Sequence, residues 1–137
     1  MAKSFKLPKN ERIKGRKLIQ HLFDEGDAFV VLPYRIYYLI EKTTSGMVFD
    51  SLRFGIGVGA KVFSRSVDRN RIKRLTREAW RLQKNDLQQL AKQNGLSLAV
   101  FLVYTVRDMP DFSTVKGKVG VALQRLFHLV EQFSVPR

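Results

Sequence analysis

Arg69, Asn70, Arg71, Lys73, Arg74, Arg77 and Arg81 crowd one short stretch, and the chemistry they suit is anion binding. Each arginine presents a planar fork of N–H donors that matches a phosphate, and Lys73 adds a mobile point charge. Asn70 is the odd member: its amide donates and accepts, so it can bridge a base edge or a ribose 2′-hydroxyl to a neighbouring arginine. A local cap or an exposed polar residue is the alternative for that position. At about 100° per residue, Ile72, Leu75, Ala79 and Leu82 form a stripe that must face a core. Arg69, Lys73, Lys84, Arg77, Asn70, Arg81 and Arg74 share the opposite arc, and Arg71 lies off it, placed to orient the helix. Only Glu78 offers an internal partner, to Arg74 or Arg81. A solvated helix face ordinarily mixes signs. This one is nearly all positive, and a polyanion would relieve its repulsion.

The charge map agrees. Residues 1–17 carry a net +6 and residues 61–84 a net +7, together the whole formal +13 of the 137-residue chain. Charge serving only solubility would be spread; two concentrations describe an electrostatic footprint for phosphates.

Hydrolytic chemistry is poorly provided. His21 and His128 fall on separate helices beside apolar neighbours, with no acid spaced to orient either as a base. The group Asp24-Glu25-x-Asp27 sits at a helix end, and no set of carboxylates suggests paired metal ions. Gly55, Gly57 and Gly59 lack the lysine of a phosphate-binding loop and the spacing of a dinucleotide fingerprint. They read instead as room for backbone or a ligand to approach one face of a strand.

The elements that must position these residues form one domain over residues 1–137. A flexible basic arm, extended or weakly ordered, spans 1–13, with the folded unit over 14–133. A helix is expected from Lys14 to Glu25, with Leu18, Ile19, Leu22 and Phe23 on its apolar stripe. Residues 28–41 read as two strands divided by Pro33, and Thr43-Thr44-Ser45-Gly46 as a turn. A strand over Leu52–Ala60 precedes the basic helix, which runs from Ser66 through Leu87 and Leu90 to Asn94-Gly95. Leu96–Val106 is an apolar run suited to a strand covered on both faces, and Val115–Phe133 is a closing helix. The order α-β-β-β-α-β-α gives an α+β fold, an α/β sandwich around a single four-stranded sheet. The absence of cysteine fits a cytoplasmic setting. No apolar run nears the ~20 residues of a membrane span, and the N-terminus lacks a signal-peptide core.

Arg53-Phe54-Gly55-Ile56-Gly57-Val58, then Lys61, then Arg69-Asn70-Arg71-Ile72-Lys73-Arg74-Leu75-Thr76-Arg77-Glu78 resembles the protein subunit of bacterial ribonuclease P. Leu7-Pro8-Lys9-Asn10-Glu11-Arg12 and Phe23-Asp24-Glu25-Gly26 look like that family's opening, and the similarity extends over roughly Leu7 to Val130. The resemblance implies a left-handed βαβ crossover around the basic helix, against the usual hand. It also implies a partnership with a catalytic RNA that holds the active site and its Mg2+. Together they remove the 5′ leader of precursor tRNA, with no membrane and no small-molecule cofactor involved. Lys61, Arg65, Arg69, Asn70, Arg71, Lys73, Arg74, Arg77 and Arg81 are then the RNA-binding set. Phe23, Tyr37 and Ile19 match the leader-binding cleft, where rings can stack on bases. Tyr34 and Phe29 are weaker candidates; Phe101 and Phe127 are assigned to the core and Trp80 to its edge. The chain departs from the pattern twice. Ala60-Lys61 stands where a lysine pair is common, with Arg65 as a partial replacement, and Ile19 stands where an aromatic is common. The competing readings are a DNA-binding regulator, opposed by a helix with little base-reading variety, and a ribosomal protein, which would need no aromatic cleft.

Overall fold

The computed structural model describes Arg12, Ile13, residues 15–42 and residues 52–134; the expected turn at 43–46 and most of the basic arm lie outside the described residues. Helix α1 (Arg16–Glu25) leads into the hairpin β1 (Asp27–Val31) and β2 (Tyr34–Lys42). Strand β3 (Leu52–Val58) is followed by α2 (Ser66–Gln83), α3 (Asn85–Gln93), β4 (Leu96–Tyr104) and α4 (Phe112–Ser134). The sheet order is β1-β2-β4-β3. β2 pairs antiparallel with both neighbours, and β3 runs parallel to β4, the two joined through α2 and α3.

Alternation along the strands decides what each face meets. On one face Tyr34, Ile36, Leu52, Phe54, Leu98, Val100 and Leu102 are buried under α2, α3 and α4. On the other, Tyr37, Leu39, Ala99 and Phe101 meet α1 through Leu18, Ile19 and Leu22, with Ile13 joining them. The β4 run is therefore apolar because one of its faces is buried and the other is covered over much of its length.

Trp80 is a correction to the sequence reading. It is 1% exposed and stacks on Phe54 at 4.2 Å, at the centre of the larger core and not at its edge. Phe101 packs on the smaller core beneath α1, over Gly55, where an added Cβ would lie 2.5 Å from its ring. Gly55 and Gly57 do admit a close approach, and what approaches is this side chain; Gly59 has no comparable neighbour.

The basic helix is shorter than its periodicity suggests. It ends at Gln83, and a separate helix begins at Asn85, because the apolar stripe is re-aimed: α2 packs on α4 and β3, α3 on β4, β3 and α4. Gln83 fixes the junction by donating from Nε2 to the Ala79 carbonyl and across to that of Lys116 in α4. Lys84, expected on the cationic arc, is instead buried at this junction, with its Nζ donating to Gln88 at 2.9 Å. Leu82, expected in the core, is exposed. α3 ends where expected, Gly95 supplying φ 64°.

Candidate nucleic-acid interface

Helix α2 is held by its apolar side, and that fixes which cations look outward. Ile72, Thr76, Ala79 and Trp80 are buried. Thr76 Oγ1 donates to the Ile72 carbonyl, so the Tyr34 hydroxyl, 2.7 Å away, donates to Thr76 and ties β2 to the helix. Burial, partly offset by that hydrogen bond, pushes the Tyr34 phenol up to about 12. On the outward side Asn70, Arg71 and Arg74 are exposed, and Lys73, Arg77 and Arg81 half-buried.

The nine residues expected to bind RNA divide by their present partners. Arg81 forms a two-bond pair with Glu78 at 2.6 and 3.0 Å, which raises its pKa; Glu78 thus serves Arg81, the later of its two candidate partners. Arg69 turns toward the loop ahead of the helix, where Nη1 donates to the carbonyls of Phe63 and Ser64 at 2.8 and 2.9 Å. It holds a loop that carries the exposed Lys61 and Arg65; Arg65 itself lies 3.9 Å from Asp68. Arg77 is shifted in the direction opposite to Arg81. Burial lowers its pKa first, and the guanidinium of Arg12 lowers it further.

Backbone pairing places Arg12 there. Ile13 donates its N–H to the Phe54 carbonyl at 3.0 Å, and Arg12 bridges in parallel to Phe54 along the free edge of β3. Residues 12 and 13 are therefore paired, and Ile13 is buried, where a loose arm was expected. An edge strand offers unpaired backbone groups, and this one is partly covered. The pairing brings Arg12, of the first basic segment, near enough to Arg77 of the second for their charges to interact. No local pattern announces this contact.

The aromatic candidates come together on the α1 face. Phe23 of α1, 39% exposed, lies 4.6 Å from Tyr37 and 5.6 Å edge-on from Phe101. Ile19, half-buried, packs in the same cluster. Phe101 is the member sequence reasoning missed. Tyr34 and Phe29 are buried on the opposite face and take no part, and Phe127 packs against that larger core. Arg35, also unforeseen, lies over Tyr37 at 5.5 Å.

Neither histidine joins these groups. His21 is exposed, and His128 Nδ1 lies 3.1 Å from Glu131 on the surface of α4, an acid partner one turn away that the sequence reading overlooked. Among the described residues no three His, Asp or Glu side chains are grouped as a cation site, and no helix is long and apolar enough to cross a membrane.

A family model described as Ribonuclease P matches residues 7–126. The chain belongs to the ribonuclease P protein family. A ribonuclease P protein component from Porphyromonas gingivalis is 35% identical over 123 residues, 90% of this chain and 88% of that protein. The ribonuclease P protein from Thermotoga maritima superposes with a TM-score of 0.61 at 25% identity, covering 84% of this chain and 96% of its own. The Staphylococcus aureus protein, at 19% identity, shares the fold with a TM-score of 0.60, covering 85% and 97%. Family membership makes this ribonuclease P chain a subunit of a tRNA-processing endoribonuclease, and nothing in the comparisons favours a ribosomal protein.

Proposed function

We propose that this chain binds the catalytic RNA of ribonuclease P through the outward arc of α2 and the 5′ leader of precursor tRNA through the Phe23–Tyr37–Phe101 cluster. The observation that carries this reading is that cluster, half-open on a sheet face whose reverse is fully packed. Stacking on such rings tolerates any base and is worth ~1–3 kcal/mol per base. Asn70, Arg71 and Arg74, with Lys73, Arg77 and Arg81 beside them, supply phosphate and 2′-hydroxyl contacts. Bond cleavage and the Mg2+ that assists it are left to the RNA, and we place the complex in the cytoplasm with the transcripts it processes. The polypeptide's share is affinity and orientation.

Adding the chain to the catalytic RNA at low magnesium should stimulate cleavage of precursor tRNA. Asn70→Ala with Arg74→Ala should weaken catalytic-RNA binding and reduce its salt slope by roughly one for the lost phosphate contact. Arg69 is left intact because it fastens the loop. An unchanged slope removes α2 as the main contact. Correct cleavage by the purified chain with magnesium and no RNA would overturn the whole assignment.

A further inference from the structure

Strand register places the open-face residues in rows. One row runs Ala28, Tyr37, Phe101, Gly55; the next, toward the turn of the β1–β2 hairpin, runs Val30, Arg35, Val103, Gly57. Phe23 contacts the rings of the first row. The second row stays open: Val30 and Arg35 are exposed, and Val103 and Gly57 are half-buried.

Arg35 is unusual in this row. Its cross-strand neighbours are two valines, and among the described residues it forms no ion pair. Charges on strands commonly guard sheet edges, but β2 is an interior strand, flanked by β1 and β4. Its guanidinium instead lies against the Tyr37 ring at 5.5 Å. A guanidinium held this way gains a modest cation–π attraction and keeps its in-plane N–H donors available. With the guanidinium over the Tyr37 ring, a base has to stack from the exposed Phe23 side of the Phe23–Tyr37 pair, and the charge is left to the phosphate next to that base.

We propose that Arg35 is a phosphate-binding residue of the leader surface, gripping the phosphodiester next to the base that stacks at Phe23 and Tyr37. The inference rests on the leader-binding reading above. It adds a cation to a surface otherwise described by rings, and it assigns that cation to the single strand and not to the catalytic RNA.

The test uses the holoenzyme, reconstituted with the catalytic RNA, and compares equilibrium binding of leader-bearing precursor and mature tRNA across a potassium chloride series. Arg35→Gln should weaken precursor binding about tenfold, leave mature tRNA unchanged, and reduce the precursor salt slope by about 0.7, the share of one single-strand phosphate. Arg35→Lys should restore the slope. Tyr37→Ala should weaken precursor binding without altering the slope. The assignment fails if Arg35→Gln leaves precursor affinity and slope unchanged, or weakens both substrates equally, while Tyr37→Ala still abolishes the leader's advantage. In that case the leader cleft survives and Arg35 is only a solvated side chain. If Tyr37→Ala and Phe23→Ala also leave the leader's advantage intact, the cleft reading itself falls and this inference falls with it.

Discussion

The two faces of the sheet are built from the same strands and finished to different degrees. In β2, Tyr34 and Ile36 are wholly buried under the helical layer, while Arg35 and Tyr37, alternating with them, face an opening that α1 only partly covers. One helix of ten residues cannot cover a four-stranded sheet, whereas α2, α3 and α4 together do. Apolar area withdrawn from water stabilises the chain at about 25 cal/mol per Å2, so the closed face holds the fold. The open face keeps rings half-wet, which leaves part of that stabilisation for a ligand to supply. On the proposed reading, strand alternation lets one element serve folding on one face and binding on the other.

The contrast breaks most visibly at Trp80. Trp80→Ala removes the ring stacked on Phe54 in the closed core and should cost about 3–5 kcal/mol, enough to unfold a marginal domain. Phe23→Ala, on the open face, should cost much less in thermal or urea unfolding yet weaken binding of leader-bearing precursor. Equal destabilisation by the two changes would abolish the distinction. The closed face should also answer to alkali. Tyr34 is neutral in the fold up to about 12, whereas the unfolded phenol ionises near its ordinary value of 10.0. Its contribution is therefore complete below pH 10 and lost as pH rises toward 12, by about 2–3 kcal/mol. Tyr34→Phe should flatten unfolding free energy against pH over that window, measured by urea titration. An unchanged profile would mean that Tyr34 does not govern it.

Much of this division is legible in the amino-acid order, and the illegible parts share a cause. Most of the outward arc of α2 follows from period, because Ile72, Leu75 and Ala79 leave Asn70 and Arg74 one direction to point. The break at Lys84 does not, since Leu87 follows Trp80 by seven residues and continues the same stripe. Phe101 cannot be given a face from sequence because β4 is apolar on both faces, and such a strand does not say which side belongs to which layer. The meeting of Arg12 with Arg77 depends on pairing between residues 12 and 54, and Arg35 gains meaning only once register sets it beside Tyr37. Local pattern gives each element its faces. Contacts distant in sequence decide which faces meet.

The smallest effect expected lies at the start of α4, the helix that spans the closed face, and it tests whether that face also has an acid limit. Asp111 accepts the Thr114 N–H at 2.8 Å, and this bond holds its carboxyl below the usual 3.8. A depressed folded pKa means that the stabilisation is complete above the unfolded value and disappears as pH falls through the folded one. Asp111→Asn keeps an acceptor for the same N–H but cannot be protonated in that range. It should leave stability near neutrality almost unchanged and reduce the loss on acidification, read from melting temperature against pH. Because Asp111 serves only the closed layer, the leader's advantage in precursor binding should not respond to this substitution. A change in that advantage would show that the packing of α4 reaches the open face through the sheet, and the two faces would then have to be treated as one coupled unit.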